Sequence, residues 1–140
     1  FYGQAWYASA RGFLWRKIMI VGIGSDIIEI KRIAEAVKKD SFKRRCFTAK
    51  EEEYAEKKAN GAESLAGFFC AKEAVSKALG TGFSGFGPAD IEVCHGPKGE
   101  PVVVLKGGAL ERANEKGVKK IHISLSHCRD FAMAYVVLEA

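Results

Sequence analysis

Three groups of polar residues in this chain have the types and spacing from which phosphate chemistry is built. Glu73, Ser76, Lys77 and Gly80 recur at intervals of three and four within Phe68–Gly82. That spacing places a carboxylate, a hydroxyl and an ammonium on one side of a helix. Asp26 follows the apolar residues Met19, Ile20, Val21 and Ile23, at the point where a first strand is expected to end. His122, Ser124, Ser126 and His127 form the third group, close to the last turn of the chain. Two carboxylates from separate elements are what a protein supplies to Mg²⁺ when substrate phosphates and water complete the octahedron. A lysine and a serine beside them would hold further phosphate oxygens. Each group also has an ordinary explanation. Glu73 and Lys77 read equally as a solvated i,i+4 pair, Asp26 as a helix cap, and a histidine among strand polars as a satisfied hydrogen-bonding residue.

The elements that must position these residues follow from periodicity. Leu65, Phe68, Ala71, Val75, Ala78 and Leu79 make an apolar stripe at helical spacing, so a core-facing helix is expected from about Glu63 to Leu79, ended by Gly80 and followed by the freely bending Gly82. The run from Met19 to Ile23, flanked by Gly22 and Gly24, reads as a buried strand whose glycines allow another backbone close. Ile27, Ile30, Ile33, Ala34 and Val37 then repeat as a second helix, with Glu29, Lys31, Arg32, Lys38 and Lys39 outside. Thr48-Ala49-Lys50-Glu51 is a capping box and predicts a helix to about Ala59, broken at Asn60-Gly61. Ile91 and Val93, the turn Pro97–Glu100, and Val102–Leu105 predict a hairpin. A short helix is expected over Gly107–Gly117. Ile121, Ile123 and Leu125 alternate with polar residues as a strand, and the apolar Phe131–Leu138 returns beside it. Helices and strands mix without regular alternation, which gives an α+β fold: a small, mostly antiparallel sheet packed against a long central helix.

A chain of 140 residues with 48% hydrophobic and 28% charged residues is expected to form one globular domain. Residues 1–18 read as an extension, without an initiating methionine, a sustained apolar core or a clear cleavage site, and 19–140 as the domain. No apolar run is long enough to span a membrane. The net charge of +5 suggests an acidic partner. Cys46, Cys70, Cys94 and Cys128 show neither a CxxC pair nor zinc spacing, and read as reduced thiols of a cytoplasmic protein. The loop from Thr81 to Pro88 is glycine-rich but lacks both dinucleotide and Walker signatures.

Four blocks taken in order resemble one family. Gly22-Ile23-Gly24-Ser25-Asp26-Ile27-Ile28-Glu29-Ile30-Lys31-Arg32-Ile33, Ala71-Lys72-Glu73-Ala74-Val75-Ser76-Lys77-Ala78-Leu79-Gly80-Thr81-Gly82, Asp90–Val93 and His122–His127 are similar to the motifs of the small trimeric 4′-phosphopantetheinyl transferases, the holo-[acyl-carrier-protein] synthases. The resemblance covers essentially Met19 to Glu139. It implies a 4′-phosphopantetheinyl transferase fold, a homotrimer, and an Mg²⁺-dependent transfer of phosphopantetheine from coenzyme A to a serine of apo-acyl carrier protein, releasing adenosine 3′,5′-bisphosphate in support of fatty acid biosynthesis.

By the same resemblance Asp26 and Glu73 hold the metal, and Lys77 neutralises the departing phosphate. Deprotonation of the serine falls to Glu73 or to a metal-bound water. Coenzyme A is expected to meet Lys72, Ser76, Lys77, Gly80, Thr81, His122 and Ser124, with His122 at the nucleotide end. The acidic carrier protein would dock on Arg32, Arg45 and Phe42, the basic residues orienting the encounter and the phenylalanine burying its centre. Family members commonly carry arginine where this chain has Phe68, and Lys72 is the candidate to compensate. The rival readings are a basic nucleic-acid-binding domain, for which no RNP, KH or zinc-finger signature is present, and a non-catalytic trimeric scaffold, which the presence of Asp26, Glu73 and Lys77 disfavours.

Overall fold

The long helix α4 (Gly61–Ala78) is the element on which the others are laid. Asn60 caps it, its side chain accepting from the Glu63 N–H at 3.3 Å. Gly80 takes a left-handed φ of 84° just beyond the last turn and returns its N–H to the Lys77 carbonyl, the turn for which glycine is preferred. In this computed structural model, residues 17–140 are described. The expected extension over 1–18 lies outside the described residues apart from Lys17 and Ile18, which are exposed.

In chain order the elements are β1 (Ile20–Glu29), α1 (Ile30–Ala36), α2 (Asp40–Cys46), α3 (Ala49–Glu56), α4, a 3₁₀ turn at Pro88–Asp90, β2 (Ile91–His95), β3 (Pro101–Leu105), α5 (Gly107–Glu115), β4 (Lys120–His127) and β5 (Phe131–Glu139). The strands form a three-stranded antiparallel sheet in the order β1-β5-β4 and a separate hairpin β2-β3. The α+β expectation therefore holds, as do the capping box, both hairpins and the central helix. The capping box is closed in both directions, with Glu51 accepting from the Thr48 N–H at 2.9 Å.

The sheet turns its small residues toward α4. Ala132, Ala134, Val136 and Leu138 of β5 are buried, and so are Ala71, Ala74, Val75 and Ala78 of the helix. Gly22 and Gly24 of β1 bring the two backbones together: a Cβ on Gly24 would collide with the Ala74 carbonyl oxygen, and one on Gly22 with that of Ala78. Two strand residues advance about as far as one helical turn. The series Gly22, Gly24, Asp26 therefore runs along α4 from Ala78 through Ala74, and brings Asp26 level with Cys70, Glu73 and Lys77.

Two expectations about β1 need correction. The strand does not end at Asp26 but continues to Glu29, with Asp26 opposite Ala134 and Ile27 opposite Met133. The helix therefore starts at Ile30, not Ile27. The spacing of Ile27 and Ile30 suits a helix locally, but β5 supplies ladder partners as far as Phe131, and tertiary pairing overrides local period. Nor is β1 buried on both faces, since Ile23 and Ile27 are 60% and 65% exposed. Phe131, Met133 and Tyr135 of β5 share that outward face, through the pairs Glu29–Phe131, Ile27–Met133 and Ser25–Tyr135.

Candidate active site

Asp26, Glu73 and Lys77 line one groove of about 440 Å³, together with Arg32, Phe42 and Phe69. β1 supplies the aspartate on its helix-facing side, α4 supplies the other two from adjacent turns, and α1 and α2 form the far wall. The Lys77 ammonium donates to Asp26 Oδ1 at 2.9 Å and to the Ser25 carbonyl at 2.9 Å. Burial pushes the Glu73 carboxyl above its ordinary range, the neighbouring charge of Asp26 adds to this, and Lys77 opposes it. Two carboxylates side by side with one lysine between them are short of positive charge, so the groove is disposed to take a cation. Cys70 lies beneath them. Its thiol donates to the Ala132 carbonyl, and burial, with help from Asp26, pushes it up to about 12. It stays protonated and is no nucleophile.

Phe42 joins this groove to a neighbouring hollow of about 470 Å³ lined by Glu35, Lys39, Ser41 and Arg45. The Arg45 guanidinium lies 5.8 Å from the centre of the Phe42 ring. The three residues expected at a docking surface, Arg32, Phe42 and Arg45, thus form one continuous strip. Arg32 lies inside the Asp26 groove and not apart from it.

Other expected residues lie elsewhere. Lys72 is not a phosphate contact: it is fully buried, paired with Glu51 at 2.8 Å, and donates to the carbonyls of Ile91 and Pro88 at 2.6 and 3.0 Å. Ser76 is also fully buried, and its hydroxyl donates to the Glu73 carbonyl at 2.8 Å. Neither side chain reaches the groove. One residue along a helix is a 100° rotation, so Lys72 and Ser76 turn inward while Glu73 and Lys77 stay at the rim. Nor does Lys72 replace the missing arginine, and Phe68 is itself buried against Tyr54 and His95.

Gly80 and Thr81 are exposed at the end of α4, close to the groove's lysine. His122 and Ser124 are exposed on the outward face of the sheet, away from Asp26. His122 Nε2 is 2.8 Å from Glu139 Oε2, and Ser124 pairs with Tyr135.

A second hollow, of about 280 Å³, was not expected. Tyr54, Lys58, Glu63, Phe68, His95 and His127 are among its lining residues. Tyr54 and His95 stack at 4.1 Å and 7°, the Lys58 ammonium is 4.8 Å from the Tyr54 ring centre, and His127 Nδ1 is 3.4 Å from Glu63. Only His127 carried a local signal, in the polar run before the last turn.

The chain matches the family model described as the 4′-phosphopantetheinyl transferase superfamily over residues 22–136. It is 53% identical over 122 residues to a holo-[acyl-carrier-protein] synthase of Clostridium tetani, covering 86% of this chain and 97% of that one. It is 49% identical over 120 residues to the synthase of Caldanaerobacter subterraneus, covering 85% and 94%. Among solved structures, the holo-(acyl-carrier-protein) synthase of Bacillus anthracis in complex with CoA (3′,5′-ADP) superposes with a TM-score of 0.72 at 40% identity, covering 87% and 98%. That of Helicobacter pylori in complex with coenzyme A gives 0.73 at 35%, covering 83% and 98%. The chain belongs to the 4′-phosphopantetheinyl transferase superfamily.

Proposed function

From that membership we propose that this protein moves the 4′-phosphopantetheine arm of coenzyme A onto a serine of an apo-acyl carrier protein and releases adenosine 3′,5′-bisphosphate. The observation that carries the reading is the meeting of Asp26, Glu73 and Lys77 in one groove walled by Arg32 and Phe42. Curated relatives named holo-[acyl-carrier-protein] synthase support the reaction, and relatives solved with coenzyme A support the donor.

The donor set fits Mg²⁺. Both groups are hard oxygen ligands, and the Lys77 ammonium already sits on Asp26 as a cation would. Among the described residues no three His, Cys, Asp or Glu side chains assemble for a metal. Two carboxylates suit an ion that keeps its waters and takes the rest of its shell from substrate phosphates. Asp26 and Glu73 would hold it. When bound, the ion neutralises charge on the pyrophosphate. Lys77, at the outer edge of the same groove, holds an ammonium beside the departing phosphate. The serine gives its proton to the Glu73 carboxylate and its oxygen forms a bond to the β-phosphorus as the bond from that phosphorus to the bridging oxygen breaks, and the electron pair leaves with adenosine 3′,5′-bisphosphate. Catalysis of this kind is mostly positioning and electrostatics. Arg32, Phe42 and Arg45 receive the acidic carrier protein, and the continuity of their strip with the groove delivers its serine to the phosphate.

The working form in this reading is a homotrimer in the cytoplasm. The number three comes from the family resemblance. The outward sheet face supports burial against another copy, because Ile23, Ile27, Phe131, Met133 and Tyr135 are 39–65% exposed there. Tyr54, Lys58 and His127 offer a flat ring and a cationic side chain suited to the nucleotide end of the donor. The four cysteines are free, as a reducing compartment would keep them. No helix among the described residues is long and apolar enough to cross a membrane.

The reading is tested by incubating the protein with apo-carrier protein, coenzyme A and Mg²⁺. A gain of one phosphopantetheine mass, with an equal amount of adenosine 3′,5′-bisphosphate in solution, is expected. Loss of coenzyme A without carrier modification would point to hydrolysis and overturn it.

A further inference from the structure

The geometry points to Lys72 as a positioning residue of the catalytic groove, acting with Glu51 through the rotation of α4. The inference rests on the reading of Glu73 as a metal ligand.

Lys72 and Glu51 are both fully buried, and every polar position of the pair is used. The ammonium has three protons and three acceptors: Glu51 Oε2, the Ile91 carbonyl and the Pro88 carbonyl. Glu51 Oε1 accepts from the Val93 N–H at 2.7 Å, and Oε2 accepts from the Thr48 N–H at 2.9 Å. One pair thus ties α4 to the start of α3, to β2 and to the 3₁₀ turn. On the opposite side of the same helix, Ala74 and Ala78 rest on Gly24 and Gly22 with no room for a methyl group. Lys72 and Ala74 are two residues apart, and so point about 200° away from each other. The helix is gripped from both sides, and Glu73 lies between the grips on the open flank.

A capping box needs only a glutamate at the rim of its helix. Apolar packing alone would hold α3 on α4, because replacing a buried ion pair by apolar residues is often neutral. What the pair adds is direction. An apolar contact slides, whereas three converging hydrogen bonds on one ammonium fix both the height and the rotation of α4. A rotation of 10° moves a side-chain tip about 5–6 Å from the axis by about 1 Å. A displacement of that size at a reacting group costs about a hundredfold in rate. Lys72 and Glu73 are adjacent in sequence because one anchors the helix and the other uses the anchored position.

Mn²⁺ binding in the presence of coenzyme A, followed by electron paramagnetic resonance of the free ion, tests this apart from turnover. Lys72→Met alone strands the Glu51 charge, so the informative variant is Glu51→Gln with Lys72→Met, which is neutral and keeps a capping side chain. It is expected to retain its circular dichroism and to bind Mn²⁺ at least about 10-fold more weakly, the effect of losing an outer-shell orienting group. Lys72→Arg keeps the charge and a cationic partner for Glu51, and gives the same shift at smaller amplitude. Leu65→Ala, a core truncation on the same helix, lowers Tm but leaves Mn²⁺ binding within about twofold. Wild-type Mn²⁺ affinity in either folded variant, or an equal loss in Leu65→Ala, overturns the inference. Failure of the underlying reading looks different: Glu73→Gln itself would then bind Mn²⁺ as tightly as wild type.

Discussion

Gly24→Ala should separate fold from catalysis more sharply than any change to a polar residue. The added methyl carbon would collide with the Ala74 carbonyl and come within 2.8 Å of the Ala78 nitrogen. Ordinary contact begins at 3.4 Å, so relief requires about 0.6 Å of separation at the nitrogen and more at the carbonyl. Both obstacles are backbone atoms in the last two turns of an 18-residue helix, held by its hydrogen bonds, so neither can swing aside. β1 must lift from α4 by about 1 Å. Asp26 lies two residues further along β1 and Glu73 one residue from Ala74, so the lift falls on the gap between the two carboxylates. Overpacking of this kind costs about 1–3 kcal/mol of stability, and a misplacement of about 1 Å costs on the order of 100-fold in rate. The expected outcome is a folded protein with a lowered Tm and a kcat reduced about 10- to 100-fold at saturating Mg²⁺, coenzyme A and carrier protein. The assay is the initial rate of carrier modification, normalised to protein shown to be folded by circular dichroism. A kcat within about threefold of wild type would refute the reasoning, because it would mean that the glycine contact does not set the carboxylate geometry.

Glu73→Gln should abolish transfer yet stabilise the metal-free protein at neutral pH. Burial and Asp26 raise the Glu73 pKa above 4.5, so the folded state holds that proton more tightly than the unfolded state. Stability therefore falls as pH rises from 4.5 through the raised value, and Tm measured against pH should lose that component in the variant. Arg45→Glu, in the outlying hollow, should raise the carrier-protein KM several-fold at low salt and less at high salt, with the KM for coenzyme A unchanged; equal changes in both would remove Arg45 from the docking strip. Asp26→Ala and Glu73→Ala proteins mixed together should stay inactive, because one chain supplies both residues to one groove. Recovered activity would place them on different subunits. Sedimentation should give a trimer, and a fully active monomer would contradict the proposed assembly.

The features legible in the sequence were those encoded by neighbours in the chain. Thr48 and Glu51 announce the start of α3, Gly80 the end of α4, and the alternation from Ile121 to Ser126 a strand with one polar face. Among 17 Asp and Glu and 22 Lys and Arg, Asp26, Glu73 and Lys77 were singled out by the resemblance of their two motif blocks, and the fold brings the three into one groove. What failed depended on distant partners. Ile27 has helical spacing to Ile30, and only β5, about a hundred residues on, makes it part of a strand. Lys72 looked like a phosphate contact because its acceptor Glu51 lies on another helix, far back in the sequence, and has a sufficient local role as a cap. Ser76 looked outward for a similar reason: its hydroxyl is satisfied within its own helix, which no spacing rule reveals. The stack of Tyr54 on His95 joins α3 to β2 and has no local signature.

The central claim is that Asp26 and Glu73 form a single metal-dependent phosphoryl-transfer centre. It is tested most directly by intact-mass analysis of apo-carrier protein after exposure to equal amounts of folded wild type, Asp26→Ala and Glu73→Ala with coenzyme A, each with and without Mg²⁺. A phosphopantetheine mass gain is expected for wild type with Mg²⁺ and none in the other five reactions. Modification by either variant at near the wild-type rate, or by wild type freed of divalent cations, would contradict it.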